Sequence, residues 1–383
     1  MKKLIIPIFV FMLAIGVFLP TKMTVYASEQ PVTKNCRAYV LVDKDSGNVL
    51  TSKNETEQMP VASIVKLMTI LLTLEEIDEG NLNVDDNVSV SDNASGMGGS
   101  QIFLDANTEY KLGDLLKSVI VCSANDSSVA LAEHIAGSEE LFVEKMNERA
   151  KELEMNNTNY QNATGLPSVN QYSCAIDVAK VLTKVLDYDL YHEYSKVWLE
   201  DFVHPSGRTT EMTNTNKLVR FYDGCIGGKT GSTNEAKYCL GAGAKRNNMT
   251  LISVVLGSEN SKERFDNVRE LLNYGFANYS NTVIFSQDNL EGMTIKMQGQ
   301  NKVADLTAER SSNIITKKGE KVDTELKYNL PATMTKVEKG EEVGTVDVYV
   351  NGQLYDTVRI LSNVSIEEPS YIDYIKRIQE DFV

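Results

Sequence analysis

The sequence predicts an α+β domain, an antiparallel sheet with helices, followed by a small all-β domain. Three features predict it. An apolar hairpin near the start leads into a long stretch of helical periodicity. Glycine-punctuated strands and one amphipathic helix then close the first unit between residues 224 and 279. Beyond residue 280 only short strands with turn residues between them recur. No repeat on the order of 20 to 50 residues is present, which argues against a solenoid.

Residues 1–27 read as a signal peptide. Lys2 and Lys3 precede an apolar stretch over 4–19, and Val25-Tyr26-Ala27 has small or modest residues where a signal peptidase reads. The stretch is broken by Pro7 and Gly16 and is shorter than the roughly 20 apolar residues a membrane span needs. Export is therefore expected, to the cell wall or the outer face of the cytoplasmic membrane. The formal net charge is −15, and Lys2, Lys3 and Lys22 lie in the leader, so the remainder is still more acidic. Such a chain is a poor partner for nucleic acid. Cys36, Cys122, Cys174, Cys225 and Cys239 are scattered, with no C-x-x-C pair. That pattern disfavours a zinc site or a redox dithiol and fits small packed side chains.

In chain order, the apolar strand 38–43, the turn Asp45-Ser46-Gly47-Asn48 and Val49-Leu50 form a hairpin. Pro60 and an apolar run through Leu72 predict a helix from about Val61, with Pro60 pre-set for the first turn. Ser63 and Lys66 then share a face. Taken alone they also fit a capping serine and a solvated lysine. A short strand lies within 84–91, and the glycine-rich loop 95–100 lacks the spacing and the lysine of a phosphate-binding loop. Apolar residues recur at helical intervals from Leu112 to Ile120 and from Val129 to Ile135, with Cys122-Ser123-Ala124-Asn125-Asp126 as the turn between two helices. Helices follow over 141–153 and 174–186, with Asn162-Ala163-Thr164-Gly165-Leu166-Pro167 as loop. Residues 224–232 and 238–244, a turn at Arg246-Asn247-Asn248 and residues 250–257 read as antiparallel strands. The closing helix spans 263–279. The first domain is placed at 28–280 and the β domain at 281–365, where Asn351-Gly352 between alternating strands is the strongest hairpin signal.

Residues 366–383 read as an amphipathic C-terminal helix with Tyr371, Ile375, Ile378 and Phe382 on one stripe. Weak membrane association is one reading of it; docking on the β domain or on a partner is the other. From Glu367 onward there are five acids and two bases, so its polar face lacks the lysine excess of an interfacial helix.

Three short motifs occur in one order: Ser63-Ile64-Val65-Lys66, Ser123-Ala124-Asn125 and Lys229-Thr230-Gly231. Each is weak alone, but together they sit at a helix start, an inter-helix turn and a strand. With them the chain resembles the penicillin-recognising serine enzymes, specifically the low-molecular-weight D-alanyl-D-alanine carboxypeptidases, over roughly residues 38–279. Asn125-Asp126 running into the next helix, Asn162-Ala163-Thr164-Gly165-Leu166 and Gly227-Gly228 before Lys229 match the same family. The resemblance implies a β-lactamase/transpeptidase-like fold, no cofactor and no metal. It implies a peptidoglycan stem peptide ending in D-Ala-D-Ala as substrate and β-lactams as acylating ligands.

The implied chemistry explains the residue types. Ser63 is the nucleophile that forms an acyl-enzyme. Lys66 is the base, its pKa depressed by burial next to the cation Lys229. Ser123 relays a proton toward the leaving amine, and Asn125 donates to the substrate amide. Lys229, Thr230, Gly231 and Ser232 receive the terminal carboxylate on a strand. Backbone N–H groups of Ser63 and Ser232 hold the oxyanion, typically worth ~3 kcal/mol per donor. Two departures concern carboxylate binding: Ser232 stands where some members have histidine, and Thr215 where some have arginine.

Two rivals share the motifs. A class A β-lactamase needs a loop glutamate to hold its deacylating water, and residues 156–171 contain no carboxylate. A non-catalytic wall-binding or penicillin-sensing protein would not need Ser63, Lys66 and Lys229 intact. A histidine-based hydrolase lacks a G-x-S-x-G elbow, and His134, His192 and His204 read as structural.

Overall fold

The structure, a computed structural model, describes residues 31, 33, 35–372, 374 and 375. The signal-peptide reading of residues 1–27 and the helix expected over residues 376–383 lie outside the described residues; within the expected span 366–383, residues 367–370 are not helical, and 371, 372, 374 and 375 are.

Strand β1 (Ala38–Asp43) pairs antiparallel with β2 (Val49–Lys53), giving the expected hairpin. A 3₁₀ turn, Ala62–Val65, then runs into α1 (Lys66–Asp78). This corrects the single helix expected from Val61. The backbone of Val61, Ala62 and Ser63 is pressed by Gly165 and Gly231, and Ala62 takes a left-handed φ of 51°. The α-helix therefore begins only at Lys66. A 3₁₀ turn eclipses residues three apart, so Ser63 and Lys66 still face one another.

The next elements are β3 (Asn87–Ser89), shorter than expected, α2 (Asp92–Ser95), β4 (Glu109–Lys111), α3 (Leu112–Val121), α4 (Asn125–Ala136), α5 (Glu139–Glu152) and α6 (Ala175–Val185). Helix α7 (Asp189–Ser195) and the hairpin β5 (Leu199–Val203) with β6 (Thr209–Thr213) were not expected as separate elements; polar residues interrupt both patterns. After α8 (Leu218–Phe221), strands β7 (Cys225–Thr233), β8 (Lys237–Arg246) and β9 (Met249–Ser258) form one antiparallel run, closed by α9 (Ser261–Asn278).

The central sheet has the order β2-β1-β9-β8-β7, so β7 is an edge strand. Strand β9 is buried along its whole length because both faces are covered. Val40, Val42, Ile252 and Val254 point into a helical core with α1, α3, α4 and α6. Leu41, Leu251 and Val255 point the other way, against Phe265, Val268, Leu271 and Leu272 of α9. Period-two alternation thus serves two cores at once. The first nine residues of α1 are all buried, as befits a helix apolar all round in the middle of a layer. Lys66 is carried into the interior with them.

Strand β10 (Tyr279–Phe285) follows α9 directly and pairs with β13 (Ser312–Lys317). The remaining strands are β11 (Thr294–Met297), β12 (Val303–Ala308), β14 (Thr324–Asn329), β15 (Thr333–Met334), β16 (Glu342–Val350) and β17 (Gln353–Ser362), in the sheet order β14-β16-β17-β12-β11-β15. Val350 pairs with Gln353 across Asn351-Gly352, both at positive φ, 49° and 77°, as a two-residue hairpin turn demands. At the C-terminal end Tyr371, Ile372, Tyr374 and Ile375 are exposed, and Tyr374 lies over Gly299. Among the described residues no helix is long and apolar enough to cross a membrane.

Candidate active site

Three elements converge on Ser63: the 3₁₀ turn with α1, the α3–α4 junction, and edge strand β7. Gly231 of β7 lies flat against the turn; a Cβ there would fall 2.5 Å from the Val61 carbonyl oxygen and 3.1 Å from the Ser63 nitrogen. From the opposite side Gly165, at φ 78°, touches the Ala62 carbonyl, where a Cβ would overlap it at 2.1 Å. Neither position tolerates a side chain, and between them they set the backbone at Ser63.

The Lys66 amine is fully buried, 3.1 Å from Ser63 Oγ. It also reaches Asn125 Oδ1 at 2.6 Å and the Thr164 carbonyl oxygen. Two of these three neighbours are carbonyl oxygens, which only accept. A neutral amine has two N–H bonds for them and one lone pair left, directed at the Ser63 hydroxyl. Burial first, and the nearby Lys229 second, hold the Lys66 pKa well below its ordinary value, which favours that neutral form.

The Thr164 carbonyl is placed by its own loop. Asn162 Oδ1 accepts from the Gly165 nitrogen at 2.7 Å and from the Thr164 nitrogen at 3.2 Å, while Asn162 Nδ2 donates to the Leu166 carbonyl at 3.0 Å. Glu139 of α5 accepts from the Ala163 nitrogen at 2.9 Å. Sequence reading singled out this loop as a motif without giving it a task; the structure aims its carbonyl at the lysine.

Ser123 sits at the α3–α4 junction at φ 66°, a strained region for a residue with a side chain. Lys229 donates to Ser123 Oγ at 2.7 Å and to the Thr230 carbonyl at 3.2 Å. Burial, with the Arg264 charge behind the strand, lowers the Lys229 pKa to about 7. Asn125 is the first residue of α4 and not part of a loop, because its nitrogen is tied to the Ser100 carbonyl at 2.7 Å. Its Nδ2 donates to the Gly98 carbonyl at 2.6 Å, leaving one of two amide protons for a substrate. Thr230 is buried and Ser232 is exposed on β7. Ser63, Lys66, Ser123, Asn125, Lys229, Thr230, Gly231 and Ser232 are thus brought to one place. Thr215 flanks it through its nitrogen on the Val121 carbonyl at 3.0 Å.

Sequence reading quoted Asp126 in the second motif without giving it a task and did not single out Arg264. Asp126 is fully buried and accepts from the nitrogens of Ser127 at 2.9 Å and of Ile102 and Leu104, each at 3.1 Å. It pins the loop whose Gly98 and Ser100 carbonyls hold Asn125. Burial raises its carboxyl pKa despite those donors. Arg264 of α9 donates to the Gly231 carbonyl at 3.1 Å, from beneath the strand. The first was visible as the residue after Asn125; the second has no local signal.

His192 and His204 lie in structural settings, while His134 is exposed in the last turn of α4. His204 is buried against Tyr110 Oη and Thr210 Oγ1, and His192 faces the carbonyls of Ile226 and Leu186. Cys36, Cys174 and Cys239 are buried, and Cys122 beside Ser123 is half-buried with its thiol pushed up to about 11 by burial, away from the thiolate form.

Residues 24–260 match the D-alanyl-D-alanine carboxypeptidase family of serine peptidases. The chain belongs to that family. Residues 279–368 match the C-terminal domain of penicillin-binding protein 5. The carboxypeptidase DacF of Bacillus subtilis is 36% identical over 351 residues, 90% of each chain. DacC of Escherichia coli is 31% identical over 360 residues, covering 91% of this chain and 89% of its own. Penicillin-binding protein 5 of Haemophilus influenzae superposes with a TM-score of 0.71 at 29% identity, over 89% of this chain and all of that one. As a member of this carboxypeptidase family the protein is a serine-type D-Ala-D-Ala carboxypeptidase, working through the acyl-enzyme that penicillin also forms. The β-lactamase and non-catalytic readings give way to it.

Proposed function

We propose that Ser63 attacks the carbonyl of the penultimate D-alanine of a peptidoglycan stem pentapeptide and releases the terminal D-alanine. The observation that carries this is the fully buried Lys66 amine, 3.1 Å from Ser63 Oγ, with two carbonyl oxygens as its other neighbours. Lys66 takes the Ser63 proton as the tetrahedral intermediate forms, and the N–H groups of Ser63 and Ser232 receive its oxyanion. Lys229 and Thr230 bind the terminal carboxylate. The Lys229–Ser123 hydrogen bond orients the Ser123 hydroxyl to pass a proton to the departing amine. Collapse leaves an ester on Ser63, and water, activated by the returned Lys66 amine, hydrolyses it. Residues 156–171 offer that water no carboxylate, so a penicilloyl ester persists.

The leader sequence supports export to the cell wall or the outer face of the cytoplasmic membrane, the peptidoglycan substrate supports a role in cell-wall maturation and cell shape, and the stripe of Tyr371, Ile375, Ile378 and Phe382 supports weak membrane contact. Benzylpenicillin followed by mass spectrometry and peptide mapping tests the site. One adduct on the peptide carrying Ser63 is expected; an adduct elsewhere, or rapid nitrocefin turnover, overturns the assignment.

A further inference from the structure

Strand β7 carries Lys229, and its outer edge has no strand partner. Pairing with β8 alternates along the strand, so the backbone N–H and C=O of Gly228, Thr230 and Ser232 turn toward that free edge. At Gly228 a side chain closes it. Tyr191 of α7, fully buried, accepts from the Gly228 nitrogen at 2.9 Å and donates to the Gly228 carbonyl at 3.2 Å. One hydroxyl thus stands in for both hydrogen bonds of a missing strand. Burial pushes the Tyr191 phenol upward, so it keeps the proton that it donates.

Two observations give this contact a task. Gly227 and Gly228 both lie at positive φ, 140° and 151°, directly before Lys229. Lacking a Cβ, they leave the strand free to rotate just where the lysine must be held. A Cβ at Gly227 would fall 2.7 Å from Tyr191 Cε1, so the ring itself packs on that backbone. Helix α7 also grips the residue before the pair: His192 Nδ1 faces the Ile226 carbonyl at 3.2 Å, and Ser195 Oγ donates to it at 3.3 Å. The helix is anchored in turn by Asn214, whose Nδ2 donates to the Ser195 and Val197 carbonyls at 3.0 and 2.8 Å.

We propose that Tyr191 is a positioning residue for Lys229, its hydroxyl fixing the glycine pair so that the ammonium meets a substrate carboxylate and the Ser123 hydroxyl together. The assignment rests on the reading of Lys229 as the carboxylate's partner. The test compares second-order acylation of Ser63 by benzylpenicillin and by its methyl ester, which lacks the charge. The wild type prefers the free acid by on the order of 10²-fold, as a hydrogen bond to a charged group allows. Tyr191→Phe keeps the ring but leaves the Gly228 N–H and C=O without partners. The preference then falls to about tenfold, while acylation by the methyl ester changes by about twofold at most. Thermal stability falls as well, as it would for a tyrosine that only packs; the preference separates the two roles. His192→Leu frees the Ile226 carbonyl, two residues further from Lys229, and lowers the preference by about threefold. An unchanged preference in folded Tyr191→Phe overturns the assignment, as does an unchanged preference in His192→Leu where Tyr191→Phe does not fold. Failure of the reading beneath it looks different: Lys229→Gln then keeps the wild-type preference, and the role of Tyr191 goes with it.

Discussion

The two halves of this chain treat charge in opposite ways. The catalytic half buries Lys66, Lys229, Asp126 and Arg264, all at 8% exposure or less. In the β domain the buried polar residues are Ser312, Thr316 and Ser362, and its ion pairs, such as Arg310 with Asp356, sit at the surface. Its core is Val346, Val348, Val358 and Ile360 from β16 and β17, with Phe285. Burying a charge costs stability unless it is partnered, so a fold does so where function gains from the shifted pKa values. The difference separates a half that holds buried charges around Ser63 from one that holds its charges at the surface, and substitutions should separate them.

The largest effect is expected at Ser63. Ser63→Ala should lower D-alanine release by at least about 10³-fold and abolish the penicillin adduct, with thermal unfolding unchanged. Unchanged release from a model pentapeptide would sink Ser63 catalysis and with it the contrast between the halves. Lys66→Arg should follow. A guanidinium stays protonated and cannot accept the Ser63 proton, so acylation should slow by about 10²–10⁴-fold. Stopped-flow acylation by benzylpenicillin measures this directly.

The pH profile sharpens the contrast. Activity needs Lys66 neutral, so it falls as pH drops through the lowered Lys66 pKa. It needs Lys229 protonated to hold the carboxylate, so in the free enzyme it falls as pH rises through about 7. A bound carboxylate stabilises the Lys229 charge and raises that pKa. The alkaline limb of kcat should therefore lie at higher pH than that of kcat/KM. Coincident alkaline limbs would remove Lys229 as the carboxylate's partner. A smaller effect is expected for Asp126→Asn. The amide keeps one acceptor for three backbone N–H groups, costing about 1–3 kcal/mol. Acylation should slow as well, because the loosened loop also holds Asn125.

Much of the fold was legible because each half follows a simple period: two in the sheets, 3.6 in α3, α4, α5, α6 and α9. The site was legible as three motifs whose residue types only their chemistry explains together. What escaped depends on contacts remote in sequence. The α1 start shifted to Lys66 because Gly165 and Gly231, about 100 and 165 residues away, press on the turn before it. Thr164 acts through a carbonyl oxygen, which every residue type possesses. Arg264 acts from the back of the sheet, where helical periodicity shows only that α9 has a buried face. The left-handed φ values at Ala62 and Ser123 break a local rule, as residues at functional sites do.

The smallest expected effect completes the comparison from the other side. In the β domain Arg310 donates to both carboxylate oxygens of Asp356, at 2.7 and 2.6 Å, but half of its side chain is exposed. Bidentate geometry favours the pair, while solvent screening and the entropy of holding a long side chain oppose it. Arg310→Ala should therefore cost at most about 1 kcal/mol in thermal or urea unfolding. Asp356 retains the Ser312 hydroxyl at 2.7 Å, so its carboxylate is not left unpaired. The rate of benzylpenicillin acylation should not move, because neither partner touches the residues around Ser63. A loss of acylation without a matching loss of stability would show the β domain shaping the site. In that case Lys44 and Asp187, which share a polar cleft with Arg310 and Asp356 between the two halves, are the next residues to vary.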